Sequence, residues 1–316
     1  MKKTNLIFSV LLATVLISGL WYKNAPNRRK YEQTEYLFDT ECTVTAFGRN
    51  AKQAVQAAFG ELSEIHRLCD SNSENSDISK INRAAADTKI TVDPRTYKIL
   101  ETALKICADS NGAFDITIAP ISALWDFKSE NAVPPPETSI CQSLQFVGYS
   151  NIILSDSTVT KKSDKTEIDL GGAAKGYAAD RALEIIKKYR VDGALVDLGG
   201  NVSCFGKNKN SKNGQWRIGI QIPFKPTGEY GQILSLNAGS VVTSGTYQRN
   251  FEYGGKLYHH ILDPKTGYPS EQSYSSVTVI TDSALIADCL STACFVLGRE
   301  QGEKLAEKYG AELYYQ

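Results

Sequence analysis

The sequence predicts an α+β fold of mixed, mainly antiparallel sheets with packed helices. Strand-like runs outnumber helical ones, and the two do not alternate one for one as a doubly wound parallel sheet requires. The chain has 316 residues, 42% hydrophobic and 22% charged, enough to bury an ordinary core in one large or two smaller domains. It shows no internal repeat and no low-complexity tract.

The first element is a targeting or anchoring segment. After Lys2 and Lys3, a run of low polarity extends from Leu6 to Tyr22. Its 17 residues sit at the lower limit of the ~17–25 that span a bilayer. Ile17-Ser18-Gly19 is a weak signal-peptidase site, and no cysteine near the end of the run offers a lipid anchor. An uncleaved signal-anchor, with the body outside the cytoplasm, fits best. Basic residues flank both ends, so charge alone leaves the orientation open.

Residues 24–34 read as a polar linker, and Tyr36–Phe47 alternates like a strand. Between Ala51 and Cys69, the residues Val55, Phe59, Leu62 and Ile65 share one helical face. A polar loop over Cys69–Asn75 leads to Ser76 or Asp77, either of which suits the cap of a short helix. Tyr97–Ser110 is a second amphipathic helix, stopped by Asn111-Gly112. Residues 131–137, with three consecutive prolines, form a surface loop. Strands are expected at 151–155, 165–170, 193–197, 216–222, 240–243, 257–262 and 275–281, and helices at 174–190, 282–297 and 299–309.

Lys+Arg and Asp+Glu balance at 35 each, yet the six basic residues among the first thirty stand without an acid. Removing those six leaves 29 basic against 35 acidic residues, a net of −6. Such a body has no electrostatic footprint for nucleic acid, and a phosphate-bearing ligand would need a metal or local backbone donors. The seven cysteines show neither CxxC spacing nor zinc-like pairing with histidine, which points to buried free thiols.

Four segments carry chemistry. Two of the three histidines, His259 and His260, stand together in a β-type run that enters Asp263-Pro264-Lys265-Thr266-Gly267. Pro fixes φ, Asp can accept from the following backbone and Gly supplies a positive φ, so this is a turn with imidazole at its mouth. A structural histidine beside a hairpin fits the same residues. In Asp169–Asp180 a strand ends in Gly171-Gly172 and a helix starts near Ala174. Free amides at such a start accept anions, and Lys175 in the first helical turn is electrostatically misplaced unless it faces a ligand. A tight strand-to-helix turn is the plain alternative. In Asp282–Gly298 a helix apolar on nearly every side carries Asp288, with Ser291 and Thr292 one turn on. A buried carboxylate needs a cation, and these oxygens suit Mg²⁺ as well as a salt bridge to Lys175 or an arginine. Asn111–Pro120 offers a small residue, an aromatic and a carboxylate in Ala113-Phe114-Asp115, also compatible with an ordinary loop.

Seven motifs together resemble the ApbE family, the FAD:protein FMN transferases, over about residues 35–310. They are SDISKIN (76–82), GAFDITIAP (112–120), DLGGAAKGYAADRA (169–182), VDLGGNV (196–202), VTSGTY (242–247), HHILDPKTGYP (259–269) and ADCLSTACFVLG (287–298). With residues 1–30 read as the targeting segment and linker, the resemblance implies a flavin transferase domain over 31–316. It implies a Mg²⁺-dependent enzyme that moves FMN from FAD onto a threonine hydroxyl of an acceptor flavoprotein and releases AMP. Carried over motif by motif, Ala113, Phe114, Asp115, Asp169, Lys175 and Leu262 match FAD-contacting positions. Asp288 and Thr292 match metal ligands, and Gly172 matches the residue that gives the metal a backbone oxygen. Two departures are Phe38-Asp39-Thr40, where the family commonly has Met-Gly-Thr, and Asn72, where an aromatic is usual.

For direct phosphoryl transfer, the expected base is His260, with His259 and Asp263 in reserve, and the expected phosphate anchor is Lys175. Adjacent residues of a β-run point to opposite faces, so only one histidine should meet the ligand. An FAD pyrophosphatase giving FMN and AMP uses the same metal site with water as acceptor. A non-enzymatic FAD carrier is the third reading, and it has no need of the Asp288/Thr292 pair. No flavinylation-type acceptor segment occurs in this chain, so the acceptor is expected in trans, as a membrane-associated redox-pump or electron-transfer subunit on the extracytoplasmic side of the membrane.

Overall fold

The fold begins with a hairpin where the sequence suggests linker and one long strand. The computed structural model describes residues 30–316, and its first strands are β1 (Lys30–Leu37) and β2 (Thr40–Phe47). They pair antiparallel from Lys30↔Phe47 to Leu37↔Thr40. Phe38 and Asp39 make the turn at φ 53° and 59°, the left-handed twist that a two-residue hairpin requires. The polar alternation of Lys30–Thr34, taken as linker, is that of a strand with one solvated face.

The chain continues through α1 (Ala51–Cys69), α2 (Asp77–Arg83), β3 (Ile90–Thr91), α3 (Pro94–Asp109), α4 (Ala119–Trp125) and α5 (Glu137–Leu144). Next come β4 (Ile152–Ser155), β5 (Thr158–Lys161), α6 (Ala174–Lys188), β6 (Gly193–Leu198), β7 (Val202–Gly206), β8 (Trp216–Gln221) and β9 (Tyr230–Leu236). The last elements are β10 (Gly239–Gly245), β11 (Asn250–Tyr253), β12 (Lys256–His259), β13 (Ser276–Thr281), α7 (Ala284–Leu297), α8 (Arg299–Lys308) and β14 (Glu312–Tyr315). Ser76, not Asp77, caps α2, accepting from Ser79 N at 2.9 Å. Helix α3 starts earlier than its apolar face suggests, because Asp93 caps it and Pro94 fills the first turn.

Seven strands form one sheet in the order β1-β2-β6-β7-β10-β13-β14, antiparallel throughout. Helices α1, α6 and α7 bury their apolar faces on one side of it, in a core that includes Val44, Leu62, Ala178, Val196, Val279 and Phe295. The β8–β9 ribbon covers part of the other side through Trp216, Ile218 and Leu234 against Phe47 and Val241. Register places five features at one end of the sheet: the β1–β2 turn, the β6–β7 turn, the exit of β10, the start of β13 and the end of β14.

The strand expected at 165–170 is absent, and Lys161 explains why. It is 1% exposed, and its ammonium donates to the carbonyls of Asn82, Asp164 and Thr166 at 2.6, 2.9 and 3.0 Å. Asn82 binds both backbone groups of Ile168, so side chains take the hydrogen bonds that a ladder would use. Lys161→Met is expected to strip three carbonyls of their shared donor and lower unfolding free energy by about 3 kcal/mol in a denaturant melt. A loss below about 1 kcal/mol would remove this structural role.

All seven cysteines are free thiols; Cys42, Cys107, Cys204, Cys289 and Cys294 are buried, while Cys141 is exposed. The anchor expected over residues 1–30 lies, apart from Lys30, outside the described residues. Among the described residues no helix is long and apolar enough to cross a membrane.

Candidate functional site

Six of the seven motifs, all but SDISKIN, bring residues to the end of the sheet just defined. At its centre α6 and α7 cross, and only glycine permits the contact: a Cβ on Gly176 would lie 2.3 Å from the Ala284 carbonyl oxygen. The close approach lets Asp288, 5% exposed on α7, accept from the Gly176 amide at 2.8 Å. The carboxylate thereby sits at the positive start of α6. Burial still pushes its pKa up, against the nearby Lys175 charge and the Gly176 bond that pull it down. Its hydrogen bond goes to an amide, not to the salt-bridge partner considered from sequence.

One turn along α7, Thr292 Oγ1 lies 3.2 Å from Ser244 Oγ, which is 2.7 Å from Ser291 Oγ. Gly172 closes the group: a Cβ there would be 3.5 Å from Thr292 Oγ1 and 3.1 Å from the Phe114 ring. Gly172, Asp288 and Thr292 are thus brought together, with Phe114 alongside. This oxygen-only donor set, built on a buried carboxylate short of positive charge, fits a hard divalent cation such as Mg²⁺.

The glycine turn keeps fewer free amides than expected. Asp169 Oδ1 takes the Gly171 N–H at 2.6 Å, the Leu170 carbonyl takes those of Ala173 and Ala174, and Asp288 takes that of Gly176. Anion binding there falls mainly to Lys175, whose ammonium rests on the Gly171 carbonyl at 3.2 Å. Its charge also acts on His260 and Cys42. Asp169 is exposed, and its own amide bonds the Ile116 carbonyl at 2.8 Å, tying this turn to the 112–120 segment. In that segment Ala113, Phe114 and Asp115 are all buried. Asp115 accepts from the Thr117 amide, the Thr117 hydroxyl and the Tyr149 amide at 2.8, 2.6 and 2.7 Å, so both its oxygens serve the protein. Its pKa is nevertheless raised by burial.

The paired histidines separate in environment. Strand β12 ends at His259, short of the expected 262, and His259 is buried against Phe295 with ring centroids 5.7 Å apart. Its Nε2–H donates to the Ser270 carbonyl at 3.0 Å, and Nδ1 accepts from Ile261 N at 3.3 Å. His260 is half-buried, and its amide and Nδ1 lie 3.0 and 3.2 Å from the Arg249 carbonyl. A carbonyl only accepts, so Nδ1 carries the proton and Nε2 the lone pair. Surrounding protein, then the Arg249, His259 and Lys175 charges, lower the pKa of His260 to about 4 against the single raising effect of the Arg249 carbonyl. Past it, Asp263 Oδ1 accepts from Lys265 N at 2.9 Å and Gly267 adopts φ 74°, as the turn chemistry predicts. Trp125 Nε1 donates to the Gly267 carbonyl at 2.8 Å, and Leu262 packs with Ile121, Trp125 and Ile140 beneath the turn.

Four positions inside VDLGGNV and VTSGTY have no role in the sequence reading, because only the sheet brings them to the site. Ser244 supports Thr292, and β10 runs two residues past its expected end to place it there. Asp197 is half-buried beside the β6–β7 turn, where a Cβ on Gly199 would meet Thr40 Oγ1 at 2.3 Å; desolvation raises its pKa. The side chains of Asn201 and Thr246 are buried without hydrogen-bond partners.

A family model described as the ApbE family matches residues 38–315. The chain belongs to the ApbE family. A relative from Klebsiella pneumoniae, named FAD:protein FMN transferase, is 36% identical and aligns over 87% of this chain and 85% of its own. The crystal structure of the ApbE protein of Thermotoga maritima superposes with a TM-score of 0.82 at 32% identity, covering 91% of this chain and 94% of that one. The flavinyl transferase ApbE of Pseudomonas stutzeri, in its apo form, gives 0.80 at 28% identity over 92% and 91%. The fold is therefore that of the ApbE flavin transferases. Of the two departures noted in the sequence, Phe38-Asp39 makes the β1–β2 turn at this end of the sheet and Asn72 lies on the loop between α1 and α2. Phe38 N donates to His66 Nδ1 at 3.3 Å, Asp39 pairs with Lys128 at 2.6 Å, and Asn72 is exposed with its amide on Asp70 Oδ1.

Proposed function

We propose that this protein transfers FMN from FAD to a threonine hydroxyl of an acceptor flavoprotein, with Mg²⁺ as cofactor and AMP as leaving group. The observation that carries this reading is the meeting of Asp288, Thr292, Gly172 and Lys175 at the start of α6, in a chain of the ApbE family. Asp288, Thr292 and the backbone of Gly172 would hold the metal. Mg²⁺, when bound, supplies the positive charge that the pyrophosphate and the departing AMP require. Lys175 steadies the phosphates, and exposed Asp169 stands beside it for polar groups of FAD. Phe114 and Ala113 offer the flavin an apolar wall, with Asp115 clamping that segment from behind. Leu262 seats the histidine-bearing chain on the core around Trp125. His260 Nε2 accepts the threonine proton as the threonine oxygen bonds to the FMN phosphorus and the bond to AMP breaks. The acceptor comes in trans from a membrane-associated flavoprotein, and residues 1–30 hold this protein at the extracytoplasmic face of the same membrane.

The test is intact mass of a generic acceptor domain incubated with the protein, FAD and Mg²⁺, with AMP followed alongside. An FMN added to the acceptor with one AMP released, lost on chelation, supports the transferase. AMP and free FMN without labelling would replace it with the pyrophosphatase, and FAD binding without AMP would leave a carrier.

His260 sets the expected pH dependence. Its folded pKa of about 4 lies below the ~6.5 of an unfolded histidine, so the unfolded chain binds its proton more tightly. The stability this residue contributes is full above ~6.5 and falls as pH drops toward 4. Transfer should therefore show no histidine limb near 6.5, and its acid limb should lie near 4–5 in single-turnover profiles. Half-loss of the rate at pH 6.5, abolished in His260→Gln, would contradict this environment for the ring.

A further inference from the structure

We propose that the end of the sheet opposite the site docks on an anionic phospholipid surface. The inference rests in part on reading residues 1–30 as a membrane anchor. It draws on two further observations, charge and the position of Lys30.

Register fixes what lies at this end. Lys30 at the start of β1 pairs with Phe47 at the end of β2, and Phe47 pairs with Gly193 at the start of β6. Gly193 in turn pairs with Gly206 at the end of β7. The C-terminus of α6 leads straight into β6, so it shares this end, and Asn50 Nδ2 fastens it there by donating to the Tyr189 carbonyl at 2.9 Å. Lys187, Lys188 and Arg190 are exposed on that terminus, and Lys207, Lys209 and Lys212 on the loop that follows β7. Two carboxylates lie between these groups, and Asp282 and Glu312 stand at the far edge of the same end of the sheet. Glu32 is taken by Lys30 at 2.7 Å, and Asp192 lies 3.9 Å from Lys209. A body with more acidic than basic residues has thus gathered a basic face at one end.

The same end is where the first 29 residues join the body. A chain held in a bilayer by Leu6–Tyr22 must bring this end toward the headgroups. Beside Lys30 a cleft of about 750 Å³ is lined by Lys30, Lys212 and Arg217 against the single carboxylate of Glu32, a volume that a phosphodiester headgroup could enter. Each basic residue near an anionic leaflet strengthens binding on the order of fivefold, and the attraction dies within about 10 Å at 0.1 M salt. Nucleic acid would need the same charges spread along a groove or stripe, whereas these cap one end of a sheet. Docking has a consequence for the reaction. The eight residues of β1 carry the site about 26 Å above the headgroups, so the acceptor threonine must be presented at that height.

The test uses the full chain with vesicles of phosphatidylcholine alone and of phosphatidylcholine with roughly a third phosphatidylglycerol, at about 0.1 and 1 M salt. Flotation with neutral vesicles reads the anchor. Lysine acetylation rates, followed by mass spectrometry, read the docking. Reactivity at Lys187, Lys188, Lys207, Lys209 and Lys212 should fall at least about fivefold on anionic vesicles and recover in high salt, while Lys128 and Lys265 stay unchanged. Combining Lys207→Glu, Lys209→Glu and Lys212→Glu should restore the reactivity of Lys187 and Lys188 without altering AMP release. Equal reactivity on the two vesicle types, or protection at both ends alike, overturns the proposal. A chain that ignores neutral vesicles yet is protected on anionic ones supports docking and removes only the anchor.

Discussion

Asp288→Asn is expected to lower Mg²⁺-dependent transfer by about three decades while leaving the fold at least as stable. A metal at a phosphoryl centre supplies several kcal/mol of charge stabilisation, and each 1.36 kcal/mol is tenfold in rate. Asn keeps the shape of Asp and an oxygen to accept the Gly176 N–H, so the α6–α7 crossing survives. What disappears is a buried negative charge whose pKa burial has raised, meaning that the fold without metal holds this carboxylate at a cost. Melting temperature should stay level or rise without metal. Added Mg²⁺ should stabilise the parent by mass action and leave the variant unmoved. Gly176→Ala gives the opposite signature. A Cβ 2.3 Å from a backbone oxygen cannot be relieved by rotating a side chain, so this variant should lose activity and stability together. Transfer that persists in Asp288→Asn with an unchanged Mg²⁺ titration would sink the metal assignment.

The oxygen-bearing face of α7 was legible because its spacing is local. An aspartate in an all-apolar helix with a hydroxyl one turn on is an anomaly that spacing alone exposes, and the crossing puts Asp288 on the Gly176 amide and Thr292 beside Gly172. The Asp263–Gly267 turn was legible for the same reason: each residue's own backbone preference dictates it. Long-range effects were not. The strand expected at 165–170 fails because Asn82, distant in sequence, takes both backbone hydrogen bonds of Ile168, while the nearby Lys161 takes the Thr166 carbonyl. The amides of the glycine turn were expected to be free, yet Asp169, Leu170 and Asp288 claim them. Ser244, though part of VTSGTY, shows no role until β10 and α7 are packed together. Polarity hid β1, whose alternation records one solvated face of an edge strand. Motif order located the site, while the supply of each hydrogen bond needed the tertiary structure.

The histidine pair offers the sharpest division of roles. His260→Ala should slow transfer about 10²-fold with little loss of stability, because positioned general bases contribute ~10²–10⁴ and a pKa near 4 makes this a weak one. His259→Ala should do the reverse. It strips the Ser270 carbonyl of its donor and the Ile261 amide of its acceptor inside the core, a cost of about 2–3 kcal/mol, and leaves turnover per folded molecule within a few-fold. The tautomers underlie this difference. In His259 both ring nitrogens are occupied by backbone, while in His260 the Arg249 carbonyl holds the proton on Nδ1 and leaves the Nε2 pair for an incoming hydroxyl. Single-turnover rates and denaturant melts on both variants separate the cases. His260→Gln adds a control, since it can keep the bond to Arg249 yet cannot accept a proton at neutral pH. Full transfer in His260→Ala, with loss in a stably folded His259→Ala, would move the base to the other ring.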